Sequence, residues 1–491
     1  MSLTETEILV NETSRIWIDD VVGCRLECGD DPSTSSVIIE NFPFVKNRRA
    51  YQQLRVLLSS KDDGLRFCQK LSGRIRRKLA PHLLQKVPTN RVLLLINPFS
   101  GQQRAKSLWS KYGAHVMRAA GIQVDVINTE YTKHATKIMQ ELDIDLYDAI
   151  LVNSGDGLVA EAICGLLMRK DRDRALKFPI CHIPGGTSNA LAAAICYACN
   201  EPFSTRDVFV TESCLMVTRP RYIPLRLYTV DTQYDGIKPM FMSATWGLIA
   251  DIDLGSERFR WAGMIRLHME AFLRILRVAL GSLAQYLFYG FTDFPALVVK
   301  NLKKVVGKPV HDHKCIKDNQ RITSELPTVA AYRARISYIP VNCKRTSRNT
   351  MLKFSCDRSR FGHGHFEFDC VDQASDLEPL EKTKSKEVFL SMKEALDGTS
   401  IVDIPSLDQP LGKNWKTVDG NWVMANVSTL SHLVNILTIH VIPVKAVRIE
   451  PQAGEGYFAI DGEPCRSGSS FSGSSLRMSE RENDMSSLFD H

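Results

Sequence analysis

The stretch LYDAILVNSGDGLVAEAICGLLMRK, Leu146–Lys170, decides the fold. Its apolar run YDAILV reads as a buried strand, and the spacing from Leu158 to Met168 reads as a helix. Between them a single carboxylate, Asp156, stands between Gly155 and Gly157 at the tip of a tight strand-to-helix turn.

The same alternation extends to either side. RVLLLI reads as a buried strand, and apolar residues at 105, 108, 109, 112 and 116 predict a helix after it. IQVDVI, TKHATKIMQEL, FPICHI and TSNALAAAICYA continue strand, helix, strand, helix. Repeated units of this length imply a parallel, doubly wound α/β sheet, whose ligands sit beyond the carboxyl ends of the strands. Three glycine-bearing turns fall at those ends: NPFSG (97–101), SGDG (154–157) and PGGTSN (184–189).

The flanking regions differ in pattern. Residues 1–88 read as short strands closed by an amphipathic helix, DGLRFCQKLSGRIRRKL, which predicts a small N-terminal α+β regulatory module of pleckstrin-homology type. The nucleotide-binding domain is placed at 89–220. RYIPLRLYTV, ARISYIPV, GNWVMANV and VKAVRIEP predict a mainly antiparallel β domain over 221–465. A polar, variable insertion is expected at 301–410, and disorder is expected in the serine-rich tail, 466–491.

Bulk composition narrows the classes. The chain has 491 residues, 44% hydrophobic, with a net charge of +7. That excess suits anionic nucleotides or an anionic membrane surface, but it is too scattered for nucleic acid. Thirteen cysteines without framework spacing, and an N-terminus without a signal pattern, predict a cytoplasmic protein with reduced thiols. No segment supplies the ~20 apolar residues of a membrane span. The CxxC pair Cys196 and Cys199 lacks a thioredoxin-like context. HDHKC (311–315) and HGH (363–365) read as solvated loop histidines rather than zinc ligands.

Glycine turns at helix starts present backbone N–H groups to phosphate, and three on one sheet edge can surround a polyphosphate. Neither GxxxxGK[ST] nor GxGxxG occurs at these turns. An isolated acid beside phosphates suits phosphoryl transfer, which needs a group to accept the proton of the incoming hydroxyl. Spacing alone leaves a second reading of Asp156 open, as a helix N-cap.

SGDGLVAE, followed by PGGTSNALA, resembles the sphingosine kinases of the diacylglycerol-kinase-like lipid kinase superfamily. LLLINPFSG, SATWGLIADIDLGSERFRWAGMIR (243–266), WKTVDGNWVMANVSTLSHL and VIPVKAVRIEPQAGEGYFAIDGE (441–463) extend the resemblance in the family's order. It implies an ATP-dependent, magnesium-requiring kinase whose β domain binds lipid and whose product is sphingosine 1-phosphate. Asp156 matches the general base for the lipid's primary hydroxyl. Asn97, Ser154, Gly155, Gly157, Gly185, Gly186 and Ser188 match positions that cradle ATP, and Arg260 and Arg266 match arginines that contact its phosphates. Asp461 and Glu463 match acids that approach the nucleotide near Mg2+. Asp253 matches the carboxylate that holds the substrate ammonium, and Ser243, Leu248 and Ile249 match positions beside the substrate. A buried aspartate is costly unless paired, and the ammonium of a long-chain base offsets that cost, whereas ceramide and diacylglycerol bring no cation.

The segment 264–289 predicts an amphipathic helix with Arg266, Glu270, Arg274, Arg277 and Gln285 on one face. It reads as a core helix, a gate over an acyl-chain pocket, a peripheral membrane contact or a site for a calmodulin-type partner. Two departures from the family stand out. NVSTLSHLVNILTIHVIPVKAV passes directly between blocks that relatives separate by further elements, and a serine-rich tail follows DGE where relatives add a strand. Both predict an unpaired sheet edge and a shortened second domain. The alternatives are therefore a ceramide or diacylglycerol kinase, or a catalytically impaired lipid-binding variant.

Overall fold

The computed structural model describes, with short breaks, residues 2–75, 89–276, 332–340, 364–365, 405–433, 444–465 and 476–480. Its centre is a four-stranded parallel sheet in the order Gln123–Asn128, Arg91–Ile96, Ala149–Ser154, Ile180–Pro184. The two middle strands are apolar throughout because helices cover both faces. Leu93, Leu95, Ile150 and Val152 pack with Met139, Val159, Ile163 and Leu166 on one face. Leu94, Ile96, Leu151 and Ile183 pack with Leu108, Val116, Met117 and Val210 on the other. The helix expected after the first strand is broken into Ala105–Leu108, a π-turn at Trp109–Gly113, and Ala114–Ala119. A Cβ on Gly113 would lie 2.4 Å from the Trp109 ring, so only glycine lets that turn close on the indole.

The first strand in sequence lies between the second and the third. Chain order reverses there, between Arg91–Ile96 and Ala149–Ser154, and that crevice is where doubly wound sheets bind ligands. The turns starting at Asn97 and at Gly155 leave the sheet on its two sides.

The second region is two antiparallel sheets around a core of Val230, Met240, Trp246, Tyr332, Val447, Ile449, Phe458 and Ile460. The larger sheet runs Gly236–Met240, Tyr228–Thr232, Leu476–Glu480, Val444–Pro451, Tyr332–Pro340, Lys416–Trp422. One expectation is corrected here. Leu476–Glu480, in the tail expected to be disordered, is a strand paired on both sides, with Tyr228–Thr232 and with Val444–Pro451. It fills the position where an unpaired edge was expected. The strand read in ARISYIPV is present as Tyr332–Pro340, which pairs on both sides deep in the same sheet although it falls within the bounds given to the insertion. Both sites satisfy backbone groups that would otherwise face solvent at a gap. The smaller sheet runs Met424–Ser428, Ser243–Gly247, Phe458–Ile460, Glu463–Pro464.

Residues 2–75 form two three-stranded antiparallel sheets and the helix Lys61–Ile75, with Ile8, Val21, Val37, Ile39, Leu71 and Ile75 as their core. This region is not self-contained. Val22 and Phe42 belong to the core of the parallel-sheet region. Arg49, whose side chain is 7% exposed, reaches across to Glu212 at 3.1 Å and also pairs with Asp20 at 2.5 Å. Residues 277–289 of the amphipathic segment and the HDHKC cluster lie outside the described residues.

Candidate active site

Three turns meet at the crevice, and backbone geometry ties them together. Asn97 closes the first turn by accepting the Phe99 N–H at its Oδ1, 3.0 Å, and the Ser100 N–H at its carbonyl, 3.1 Å. Gly101 has φ of 58°, and a Cβ there would lie 2.1 Å from the Gly185 carbonyl oxygen; glycine alone permits that approach. Ser100 Oγ accepts the Gly155 N–H at 3.2 Å. The carbonyl of Ser154 accepts the Gly185 N–H at 2.9 Å. In the third turn the Gly186 N–H donates to Asn189 Oδ1 at 2.9 Å, and Asn189 Nδ2 donates back to Gly186 O at 3.1 Å. Gly185 itself is packed tightly: a Cβ would lie 2.3 Å from Asn153 Oδ1.

Asp156 is the first residue of the helix Asp156–Leu167, after Gly155 in extended conformation. It does not cap its own helix. Its Oδ2 accepts the N–H of Ala190 and its Oδ1 that of Leu191, each at 3.0 Å, so it caps the helix Ala190–Ala198 from 34 residues away. The reading of Asp156 as the cap of its own helix is therefore corrected: the helix it caps is the later one, and the carboxylate is held between two helix N-termini, where negative charge is favoured. Behind it lies His182, 1% exposed, on the adjacent strand.

The β region contributes its acids from the opposite side. Asp461 follows the strand Phe458–Ile460 with φ of 50°. Its Oδ1 accepts the N–H groups of Met242 and Ser243, and its Oδ2 that of Phe241, at 2.9 to 3.0 Å. Burial nevertheless pushes its carboxyl up to about 6, with the charge of Asp156 adding to the rise. Glu463 is exposed, with Oε1 beside Gly157 at the start of the Asp156 helix. Asp253 lies on the helix Leu248–Ser256, its side chain 36% exposed, with Arg266 at 3.6 Å. Burial raises its carboxyl above the usual range against the opposing pull of Arg266, and Glu257 and Glu463 reinforce the rise. Arg266 also pairs with Glu257, so it bridges two acids here. Ser243 starts the strand that leads into this helix, and Leu248 and Ile249 begin the helix after Gly247. Gln102 Nε2 donates to the Trp261 carbonyl at 2.7 Å, which links the first turn to the segment carrying Arg260 and Arg266.

Asp156, Asn97, Ser154, Gly155, Gly157, Gly185 and Gly186 are thus brought to one crevice, with Asp461 and Glu463 meeting them from the β region. Ser188 and the side chain of Arg260 lie outside the described residues. Three participants were not singled out from sequence: Asn189, Gln102 and His182. For His182 the available signal was a histidine near the end of an otherwise apolar buried strand, FPICHIP. Cys196 and Cys199 are both buried, and burial drives the Cys196 thiol well above its ordinary value, the opposite of a redox thiolate. No helix among the described residues is long and apolar enough to cross a membrane.

Residues 91–211 match the family model of the diacylglycerol kinase catalytic domain. The chain is 36% identical over 197 residues to sphingosine kinase 1 of Mus musculus, covering 40% of this chain and 51% of that protein. It is 34% identical over 190 residues to sphingoid long chain base kinase 4 of Schizosaccharomyces pombe, covering 38% of this chain and 39% of that protein. The match thus spans about half the length, or less, of these relatives. Among solved structures, a putative diacylglycerol kinase from Bacillus anthracis superposes over 80% of this chain and 95% of its own, at 13% identity and a TM-score of 0.36. The parallel-sheet region is thus similar to the diacylglycerol kinase catalytic domain and to the corresponding region of the sphingosine kinases.

Proposed function

We propose that the chain is an ATP-dependent lipid kinase that phosphorylates the primary hydroxyl of sphingosine or a related long-chain base. The observation that carries this reading is the placement of Asp156: one buried carboxylate at the switch point of the sheet, flanked by all three glycine turns. The likeness to the sphingosine kinases over the catalytic region supports the choice of lipid.

ATP would lie in the crevice and supply the γ-phosphoryl group when bound. The turns at Asn97, Ser154–Gly157 and Gly185–Gly186 would cradle it, and Arg266, on the segment tied to the first turn, would supply a cation for its phosphates. Mg2+ usually takes one or two protein carboxylates together with phosphate oxygens. Glu463, exposed beside the helix start, fits that role; Asp461, with both oxygens engaged by three backbone N–H groups, serves better as the brace that positions Glu463. Asp156 accepts the proton of the attacking hydroxyl. Asp253 holds the substrate ammonium, which can replace the loose contact with Arg266 and offset the cost of a half-buried acid. Membrane-surface binding fits the exposed apolar side chains Trp261, Ile265 and Phe272, on the same segment as the exposed Arg258.

The test is transfer of labelled γ-phosphate from ATP–Mg2+ to sphingosine, with ceramide and diacylglycerol in parallel and Asp253→Ala alongside. Sphingosine phosphorylation that Asp253→Ala abolishes supports the reading. Diacylglycerol or ceramide phosphorylation insensitive to Asp253→Ala replaces it with a neutral-lipid kinase. ATP binding without transfer to any of the three points to an impaired, lipid-binding form.

A further inference from the structure

His182 is buried to 1% and makes a single hydrogen bond among the described residues, from Nε2 to the Ser154 carbonyl at 2.9 Å. A carbonyl only accepts, so Nε2 carries the hydrogen, and the neutral ring then bears its lone pair on Nδ1. That atom has no hydrogen-bond partner among the described residues. Its nearest ionic neighbour is Oδ1 of Asp156, at 3.6 Å. The gap is too long for a hydrogen bond and short enough to become one with a small side-chain rotation. A buried acceptor without a donor is costly, and two acceptors facing each other more so, unless a proton comes between them.

Among the described residues, Asp156 accepts the backbone N–H groups of Ala190 and Leu191, and the charge of Asp461 acts on it through space. The backbone donors stabilise Asp156 as an anion. They offer nothing to a proton once Asp156 has acquired one. Nδ1 does.

We propose that His182 is a positioning residue that acts through Asp156, its Nδ1 taking up the proton that Asp156 removes from the substrate hydroxyl. The inference rests on the kinase reading above. As the hydroxyl oxygen bonds to the γ-phosphorus, its O–H bond breaks and the phosphorus–oxygen bond to the departing nucleoside diphosphate breaks with its electron pair. The proton passes to Oδ1 of Asp156 and on to Nδ1 of His182, which leaves an imidazolium beside a restored carboxylate. The anion is thereby kept between the two helix N-termini throughout. Ser154 sets the tautomer, so the carbonyl at the end of the strand and the base at the start of the helix are linked through one ring.

Two measurements test this. The first is the 15N spectrum of histidine-labelled protein, with His182 identified by its loss in His182→Gln. The expected result is a neutral ring protonated at Nε2 with Nδ1 bare, and an Nδ1 resonance that moves in Asp156→Asn. A ring protonated at Nδ1, whether neutral or charged, overturns the proposal whatever lipid the protein turns over. The second is kcat and KM of His182→Gln, in which the side-chain amide can still donate to Ser154 but offers no acceptor toward Asp156. The expected result is kcat lowered about tenfold or more with KM for ATP and lipid within twofold, inside the range of positioned acid–base groups. An unchanged kcat, or a rise in KM with loss of thermal stability, makes His182 a packing residue and overturns the proposal. A parent with the expected tautomer that phosphorylates no lipid refutes the kinase reading, and the proton step that rests on it falls with it.

Discussion

Asp156 Oδ1 accepts the backbone N–H of Leu191 at 3.0 Å, so the acid at the tip of one helix is the cap of the next. The observed cap and the proposed proton acceptor are the same carboxylate. Asp156→Asn keeps one acceptor but turns an amide toward the N–H of Ala190 or Leu191. We expect phosphoryl transfer to fall by about 10²–10⁴ and stability by roughly 1–2 kcal/mol, the usual cost of a lost cap. Initial rates with labelled ATP and urea unfolding of the same preparation check both. Full activity in a folded variant would exclude Asp156 as the base.

Stability should fall as pH rises from about 4 to 7. Burial holds Asp461 up at about 6 against an ordinary 3.8, and holds Glu212 up at about 7 against 4.5, with Glu201 adding to the rise and Arg49 opposing it. Between the ordinary and raised values the folded state binds more protons than the unfolded chain, so their contribution is full below the lower value and lost through the upper one. Each is worth at most roughly 3 kcal/mol. Denaturant midpoints at pH 5 and pH 7.5 measure the slope. Glu212→Gln should flatten it, and a parent equally stable at both pH values would contradict the assignment.

Among the described residues, Arg49 ties residues 2–75 to the parallel-sheet region through ion pairs. Its guanidinium meets Asp20, Glu212 and, at 3.9 Å, Glu201, and Arg219 meets Glu201 at 3.0 Å. Removing one partner from a buried network strands the others. Arg49→Met should cost about 3–5 kcal/mol and expose the N-terminal region to proteolysis. Adding Glu212→Gln should restore part of the loss. Additive losses in the double variant would show that the two residues are not coupled.

Truncation after Cys465 removes the strand Leu476–Glu480 and leaves Tyr228–Thr232 and Val444–Pro451 without their shared partner. Two unpaired edges within a sheet invite association between chains. The truncated protein should aggregate or lose its β-region signal in hydrogen exchange, whereas truncation after Asp484 should behave as the parent. A monomeric, stable chain ending at Cys465 would show the strand to be dispensable.

Much of the parallel-sheet region was legible in the sequence, because its signals are local. A run such as RVLLLI can only be covered on both faces, and a glycine turn after it opens a helix N-terminus toward the crevice. The three glycine turns and the position of Asp156 followed from that periodicity and from turn chemistry alone. The remainder depends on contacts between distant residues, which no window of sequence contains. The expected disorder of the tail rested on composition, yet five residues, Leu476–Glu480, have a vacant backbone ladder to fill between two strands. The choice between cap and base at Asp156 rested on its own helix, whereas the helix it caps begins 34 residues later. His182 reads as one polar residue in an apolar strand; only the parallel pairing of Val152 with His182 brings its ring behind the acid. Local sequence determined which elements form and where anions meet them. Tertiary structure decided which donors, acceptors and protons face each carboxylate, because those partners are set by packing across the sheet rather than by neighbours along the chain.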